Sequence, residues 1–184
     1  MKYFVTMLVM MASILGIRAA TESATPTNST SITTTNEVAA TNRIKLTVIK
    51  VDSEETAGEN GSGTNAVDGN PETFWHTAWQ DANPEPPHEI IIKLSEAVAL
   101  KGFTYLPRQD DSDHGLIKDY EFYVSDDGKD FGQPVKKGSF DSSRDKKTVT
   151  FDGKKCQFIK LRALSEINGE AWTSVAEIDV VLAD

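Results

Sequence analysis

The sequence has little of the chemistry that most catalytic or zinc-binding proteins need. Its 184 residues include one cysteine, Cys156, which excludes an internal disulfide. The three histidines, His76, His88 and His114, lack the spacing of a zinc site. No GlyXaaSerXaaGly motif is present, and no motif marks a pair of glycosidase carboxylates. The sequence therefore predicts a protein that is not an enzyme.

The chain also lacks an excess of positive charge. Its 19 Lys and Arg against 28 Asp and Glu give a formal net charge of −9. This balance argues against nucleic acid and against an anionic membrane surface as partners, because both attract basic proteins. Neutral glycans remain compatible with an acidic protein.

Long apolar runs are rare, and the one present lies at the start of the chain. Phe4–Ile17 is apolar, Lys2 precedes it, and the small residues Ala19 and Ala20 follow it. This order predicts a secretory signal peptide over residues 1–20, and an uncleaved membrane anchor is the alternative. Either one places the remaining chain outside the cytoplasm, as a secreted, periplasmic or cell-surface protein, with no membrane insertion of the mature domain.

Residues 21–42 form a tract rich in Thr, Ser and Ala with almost no large apolar side chains. Such a segment buries too little surface to offset the entropy of ordering, so we expect a flexible linker. Its hydroxyl content also permits O-glycosylation, and it leaves room for a protein partner that binds through the linker.

Residues 43–184 show the alternation of apolar and polar side chains that is typical of half-buried strands. No window shows sustained helical spacing. About eight strands in such a length predict an all-β, single jelly-roll β-sandwich. The strand candidates are Ile44–Val51, Glu89–Leu94, Lys101–Leu106, Tyr120–Ser125, Thr148–Phe151, Phe158–Ala163 and Glu177–Leu182.

A tight turn at Asp68–Pro71 precedes an unusual cluster of aromatic residues. The turn exposes carbonyl oxygens beside the Asp68 carboxylate, and such hard oxygen ligands suit Ca²⁺. The segment Thr73–Trp79 then places His76 beside aromatic rings, which offers a sugar both a polar hook and an apolar face. The alternative is that Asp68 only caps the turn.

Loops between the strands supply further groups that suit a saccharide. Arg108 can fork to two neighbouring hydroxyls, and Trp172 can stack on a sugar ring. Glu59 or Glu55 can accept a hydrogen bond from another hydroxyl, and Trp79 belongs either to the core or to the site.

Three motifs occur in an order that resembles a known family: DGNPETFWHT at 68–77, YLPRQD at 105–110 and HGLIKDYEFYVSDDGKDF at 114–131. They are similar to the discoidin-type domain, the type C domain of coagulation factors V and VIII. Within that superfamily, Thr41–Asp184 most resembles the family 32 carbohydrate-binding modules. The resemblance implies a galactose-binding-domain-like sandwich and recognition of terminal galactose or N-acetylgalactosamine.

The resemblance also implies roles for individual residues. His76, Arg108 and Trp172 match the sugar-binding pattern of the family, and His114 stands where the family has an Asn before a Gly. A structural Ca²⁺ is implied as well. Its ligands are expected to be the side chains of Asp68, Thr73 and Glu177 and the carbonyls of Asn70 and Ala176.

Structural roles remain open for several of these residues. Trp75 is expected in the core, and His88 is expected to be structural. Arg108 can instead pair with Asp110 or Asp113, and His76 can instead cap a loop. The rival function is a cell-surface adhesion module of the same fold that binds a protein partner.

Overall fold

A computed structural model describes residues 43–184, so the predictions for residues 1–20 and 21–42 lie outside the described part of the chain. Within residues 43–184, no helix is long and apolar enough to span a membrane. Residues 43–184 contain eight strands and a short 3₁₀ helix, Gly63–Val67. The strands are β1 (Leu46–Val51), β2 (Trp75–His76), β3 (His88–Leu106), β4 (Asp119–Ser125), β5 (Lys136–Ser139), β6 (Lys147–Ala163), β7 (Ser174–Val175) and β8 (Glu177–Leu182).

Two long strands, β3 and β6, run through the centre of the main sheet and pair with each other antiparallel. The first half of β3 also pairs with β1, and its second half pairs with β8. The strand order is β1-β3-β6-β4-β5, with β8 attached to β3. Register shifts between Lys93 and Val98 and between Leu100 and Gly102 interrupt the β3–β6 ladder. Bulges of this kind bend a strand, which lets β3 and β6 contribute to both layers of the sandwich.

The core lies between these layers. Ile90 and Ile92, from the first half of β3, and Phe103, from the second half, belong to the same buried cluster. The Phe103 ring stacks on Phe122 of β4 with 4.0 Å between ring centroids. The alternating apolar positions of the sequence therefore face one shared interior, and the predicted jelly-roll β-sandwich is confirmed.

The structure differs from the predicted strands in their continuity and in three short strands, β2, β5 and β7, that the prediction lacks. Glu89–Leu94 and Lys101–Leu106 are parts of β3, and Thr148–Phe151 and Phe158–Ala163 are parts of β6. The bent middles of these strands carry exposed polar residues, which gives them the composition of turns. β5 reads LysLysGlySer and has no apolar alternation to mark it as a strand.

Candidate functional site

A small second sheet holds His76 at one end of the sandwich. β2 pairs antiparallel with β7, so Trp75 lies opposite Val175 and His76 lies opposite Ser174. Trp75 is buried, and its Nε1 donates to the carbonyl of Ser53 at 2.9 Å. Trp75 therefore belongs to the core, as predicted, and its neighbour His76 is presented at the sheet end.

Glu55 ties the loop after β1 to the loop after β2. Its Oε1 accepts the backbone N–H groups of Ala57 and Gly58 at 2.7 and 2.8 Å. Its Oε2 accepts those of Trp79 and Gln80 at 2.7 and 2.9 Å. These hydrogen bonds, led by that of Trp79, lower the pKa of Glu55 to about 2. The expectation that Glu55 receives a sugar hydroxyl is wrong, because its carboxylate is buried and both oxygens bind backbone.

Two hydrogen bonds position Trp172, one made by its indole N–H and one made by the carbonyl of the preceding residue, Ala171. The Trp172 Nε1 donates to Oδ1 of Asn83 at 2.6 Å. The carbonyl of Ala171 lies 2.7 Å from Nε2 of the buried His88, whose Nδ1 lies 2.8 Å from Oδ2 of Asp52. A carbonyl and a carboxylate only accept hydrogen bonds, so both ring nitrogens of His88 donate and the ring is charged. Burial opposes this charge, but the bonds to Asp52 and Ala171 prevail and raise the pKa of His88.

Arg108 combines an ion pair with free donors. Its Nε and Nη2 donate to the two carboxylate oxygens of Asp110 at 2.7 and 2.6 Å, and Nη1 donates to the carbonyl of His114 at 3.2 Å. The guanidinium carbon lies 4.3 Å from the ring centroid of Phe74. A guanidinium has five N–H groups, so two remain for a ligand beside these described contacts. The structural ion pair left open by the sequence thus exists and is compatible with ligand binding.

Gly115 brings the Arg108 loop against the small sheet. Its φ is +83°, and its carbonyl accepts the N–H of Ser174 at 2.7 Å. The Ser174 hydroxyl donates to the carbonyl of His114 at 3.1 Å. A Cβ at position 115 would lie 2.7 Å from the Ser174 nitrogen. Only glycine allows both the positive φ and this close approach.

These loops line an open cavity of about 240 Å³, which we name the Trp172 pocket. This volume lies just below the roughly 300–1,000 Å³ of pockets for drug-sized ligands, and it suits a single sugar ring. The ring centroids of His114 and Trp172 are 4.9 Å apart. Apart from Glu55, the structure brings together every residue predicted to bind sugar. The lining consists of Glu59, His76, Trp79, Arg108, Ser112, His114 and Trp172.

His76 presents an acceptor to this pocket. Its Nδ1 lies 2.7 Å from the carbonyl of Thr77, so Nδ1 carries the hydrogen. Burial and the nearby Arg108 guanidinium lower the pKa of His76, although the Thr77 carbonyl and Glu59 act in the opposite direction. The ring is therefore neutral, and its Nε2 is free to accept a hydrogen bond from a ligand hydroxyl.

Three supporting residues were not found by sequence reasoning. Ser112 lines the pocket, but it lies within an acidic run that the sequence presents as a solvated loop. Asn83 and Phe74 orient Trp172 and Arg108 through contacts that span distant loops. No local pattern marks such contacts. The one sequence feature that could have pointed to Phe74 is its position beside Trp75 and His76 in the FWHT motif.

The predicted metal residues form a second cluster at the turn after the 3₁₀ helix. Thr73 Oγ1 donates to Oδ2 of Asp68 at 2.8 Å and lies 2.9 Å from the carbonyl of Asn70. Oδ1 of Asp68 accepts the N–H of Asn70 at 2.8 Å. The turn thus gathers a carboxylate, a hydroxyl and a carbonyl within a few ångströms.

Glu177, at the start of β8, faces this turn. Its Oε1 is buried and has no hydrogen-bond partner within residues 43–184. Burial raises the pKa of Glu177, and the neighbouring Asp68 carboxylate raises it further. None of the ion pairs found in residues 43–184 involves either carboxylate. Buried Ala176 precedes Glu177 at this position.

The donor set of this turn suits a hard cation. Ca²⁺ takes oxygen ligands from carboxylates, hydroxyls and carbonyls in a flexible geometry. No group of three or more His, Cys, Asp or Glu side chains within the described chain could hold a metal. Any cation here would therefore depend on two carboxylates supplemented by neutral oxygens. The unpartnered Glu177 oxygen fits that requirement.

Comparison with known proteins identifies related domains. A family model described as the F5/8 type C domain matches residues 48–178. A sialidase from Micromonospora viridifaciens is 37% identical over 157 residues, which is 85% of this chain and 24% of the sialidase. The chain thus spans about a quarter of the length of this curated relative.

Solved structures of isolated modules match over nearly their whole length. CpGH89CBM32-5 from Clostridium perfringens, in complex with GalNAc-β-1,3-galactose, has a TM-score of 0.68 and 33% identity. The match covers 74% of this chain and 95% of that module. The family 32 CBM of C. perfringens NanJ, in complex with galactose, has a TM-score of 0.65 and 27% identity. That match covers 75% of this chain and 97% of the NanJ module.

Proposed function

Because the chain belongs to the F5/8 type C domain family, we propose that residues 43–184 are a non-catalytic carbohydrate-binding module. Its ligand is a terminal galactose or N-acetylgalactosamine residue, bound in the Trp172 pocket. The related modules that were solved with galactose and with GalNAc-β-1,3-galactose support this ligand class.

The observation that carries the proposal is the combination of groups in the pocket. A sugar presents hydroxyls that donate and accept, together with an apolar patch of C–H groups. Arg108 supplies two free N–H donors, and neutral His76 supplies an acceptor. The Trp172 ring, fixed by Asn83, supplies the apolar face. All of these groups are held by the fold before any ligand arrives, which limits the entropy lost on binding.

The charges of the pocket favour binding over hydrolysis. A glycosidase places two carboxylic groups across the scissile bond. Among the described residues that line the Trp172 pocket, Glu59 supplies the single carboxylate. The Asp110 carboxylate is engaged with Arg108. We therefore assign no catalytic step to this domain.

The open pocket and small ligand imply modest affinity. We expect a Kd of about 0.1–1 mM for a monosaccharide, or about 4–5.5 kcal/mol. Useful affinity for a glycan surface would then require several copies or a tethered partner domain. We further propose secretion or cell-surface display, which the signal peptide predicted over residues 1–20 would direct.

We also propose a structural Ca²⁺ ion at the turn described above. Asp68, Thr73 and Glu177 would bind it through side chains, and Asn70 and Ala176 through carbonyls. The buried, unpartnered Glu177 oxygen supports this assignment, because a cation would satisfy it. The turn leads directly into β2, so the ion would brace the strand that carries His76.

Calorimetric titration of the protein with galactose, N-acetylgalactosamine and glucose, in Ca²⁺, tests the proposal. We expect the two galactose-type sugars to bind at least tenfold more tightly than glucose. Trp172→Ala should abolish detectable binding, whereas Trp172→Phe should retain part of it. Arg108→Lys should weaken binding at least tenfold, because an ammonium cannot reproduce the planar fork.

A folded, Ca²⁺-loaded protein that binds none of these sugars, and no glycan on an array, would overturn the proposal. The rival adhesion function would then take its place. Loss of binding in Arg108→Lys alone, with Trp172→Ala unaffected, would show that the sugar contacts Arg108 without stacking on Trp172.

A further inference from the structure

The Arg108 charge is already compensated inside the protein. Its ion pair with Asp110 is bidentate, with both distances below 2.8 Å. The Arg108 guanidinium holds the pKa of Asp110 below its usual range, so the carboxylate remains an anion. The pair therefore contributes hydrogen-bond donors to the Trp172 pocket but almost no net charge.

The charge of Glu59, in contrast to that of Arg108, has no such compensation within residues 43–184. The Glu59 Oε1 accepts the indole N–H of Trp79 at 3.0 Å, and the Glu59 side chain is 30% exposed. The nearest ionisable nitrogen among residues 43–184 is Nδ1 of His76, at 3.9 Å. That nitrogen donates to the Thr77 carbonyl, and the His76 ring is neutral. Glu59 thus leaves the pocket with an uncompensated negative charge.

We propose that the Trp172 pocket selects among galactose-type sugars by charge, with Glu59 as the selecting residue. A hexosamine with a free ammonium group binds more tightly than the neutral hexose, and uronic, sulfated or sialylated sugars bind more weakly. This inference rests on the proposed function, because it concerns the same pocket. It adds the charge class of the preferred ligand.

The chemistry of an ammonium group fits this position. An ammonium offers three N–H donors, and Glu59 Oε2 is an acceptor beside the oxygen that binds Trp79. Because the Glu59 side chain is partly exposed, solvent weakens the attraction. We therefore expect a preference of about threefold to tenfold for galactosamine over galactose, and a comparable loss for galacturonic acid.

Competition titrations of the protein with galactose, galactosamine and galacturonic acid, at about pH 7 in Ca²⁺, test the inference. An amine of this kind is mostly protonated there. Glu59→Gln keeps an oxygen for the Trp79 indole and removes the charge. We expect this variant to bind galactosamine no more tightly than galactose, whatever the change in its affinity for galactose itself.

Glu96→Gln is the matched control. Glu96 is exposed in the bent middle of β3, so its substitution changes the net charge equally without touching the pocket. It should leave the ranking of the three sugars unchanged. In the unmodified protein, the galactosamine preference should shrink as salt rises from about 0.05 to 0.5 M, because screening weakens exposed ion pairs.

The outcomes distinguish failure of the charge inference from failure of the proposed function. If galactose binds but galactosamine binds no better, or if the preference persists in Glu59→Gln, the charge inference is overturned and the galactose-binding proposal stands. If the ranking changes equally in Glu96→Gln, overall charge rather than Glu59 is responsible, and the inference also fails. If none of the three sugars binds, the proposed function itself is overturned.

Discussion

Two carboxylates of this domain, the buried Glu55 and the half-buried Glu177, differ in how their oxygens are hydrogen-bonded. Glu55 accepts four backbone N–H groups, and its pKa falls to about 2. Glu177 keeps a buried oxygen with no partner in residues 43–184, faces Asp68, and has a raised pKa. The backbone of two loops satisfies the Glu55 carboxylate, whereas we propose that a cation satisfies the Glu177 carboxylate. The same residue type thus braces one region and would hold a ligand in the other.

Replacing Glu55 should have the largest effect on stability. Glu55→Ala leaves four backbone donors from two loops without their acceptor. We expect the melting temperature to fall by roughly 10 °C or more, together with loss of sugar binding. Glu54→Ala, which removes an exposed carboxylate with one backbone bond to Gly63, should lower it far less. Equal losses in calorimetric melting would contradict the bracing role of Glu55.

Removal of Ca²⁺ from the turn that Glu177 faces should have the second largest effect on stability. We expect saturating Ca²⁺ to raise the melting temperature by roughly 5–10 °C over chelator. Glu177→Gln should abolish this rise and, in chelator, should be at least as stable as the unmodified protein, because its repulsion with Asp68 is gone. Asp179→Asn, two positions along β8, should keep the full response. A Ca²⁺ response that survives in Glu177→Gln would exclude this turn as the site.

Substitution of Asn83 should have a smaller and more local effect, on galactose affinity through the Trp172 indole. Asn83→Ala frees the Trp172 indole and should weaken galactose binding about threefold to tenfold with little loss of stability. In a Trp172→Phe background, which lacks the indole N–H, the same substitution should have no further effect. Titration of the four proteins measures this coupling. Additive losses would show that Asn83 acts on the ligand by another route.

The smallest expected effect is the pH dependence due to His88. Its pKa is raised in the folded protein, so protonation stabilises the fold fully below the ordinary histidine pKa of about 6.5. This contribution is lost as pH rises through the folded pKa. The stability difference between the protein and His88→Gln, measured by urea unfolding between about pH 5.5 and 9, should therefore narrow with pH. A constant difference would show that His88 is neutral.

Much of the fold was predictable because it rests on local alternation. The pattern of Ile90 and Ile92 and of Tyr120 and Phe122 predicts strands with one buried face, and those strands are present. The resemblance to the discoidin-type family and to family 32 modules is confirmed. Sequence reasoning did not join the two halves of β3, because residues 95–97 are exposed where the strand bends.

The candidate site was predictable in its residue types but not in its connections. Glu55 and Glu59 look alike in the sequence, as acidic residues of one polar loop. They differ in the structure because Glu55 accepts the backbone N–H groups of residues 79 and 80, whereas Glu59, among the described residues, accepts only the indole N–H of Trp79 and stays partly exposed. Likewise, Asn83 and Trp172 are 89 residues apart and meet only in the folded chain.

In the proposed function, Trp172 rather than another tryptophan receives the galactose-type sugar. The sequence has three tryptophans, so the ¹⁵N-labelled protein gives three indole N–H signals to follow in an NMR titration with galactose and with glucose, in Ca²⁺. We predict that galactose shifts the Trp172 signal saturably, that the buried Trp75 signal stays fixed, and that glucose at equal concentration shifts neither. An unchanged Trp172 signal at saturating galactose, or equal shifts with both sugars, would contradict the account.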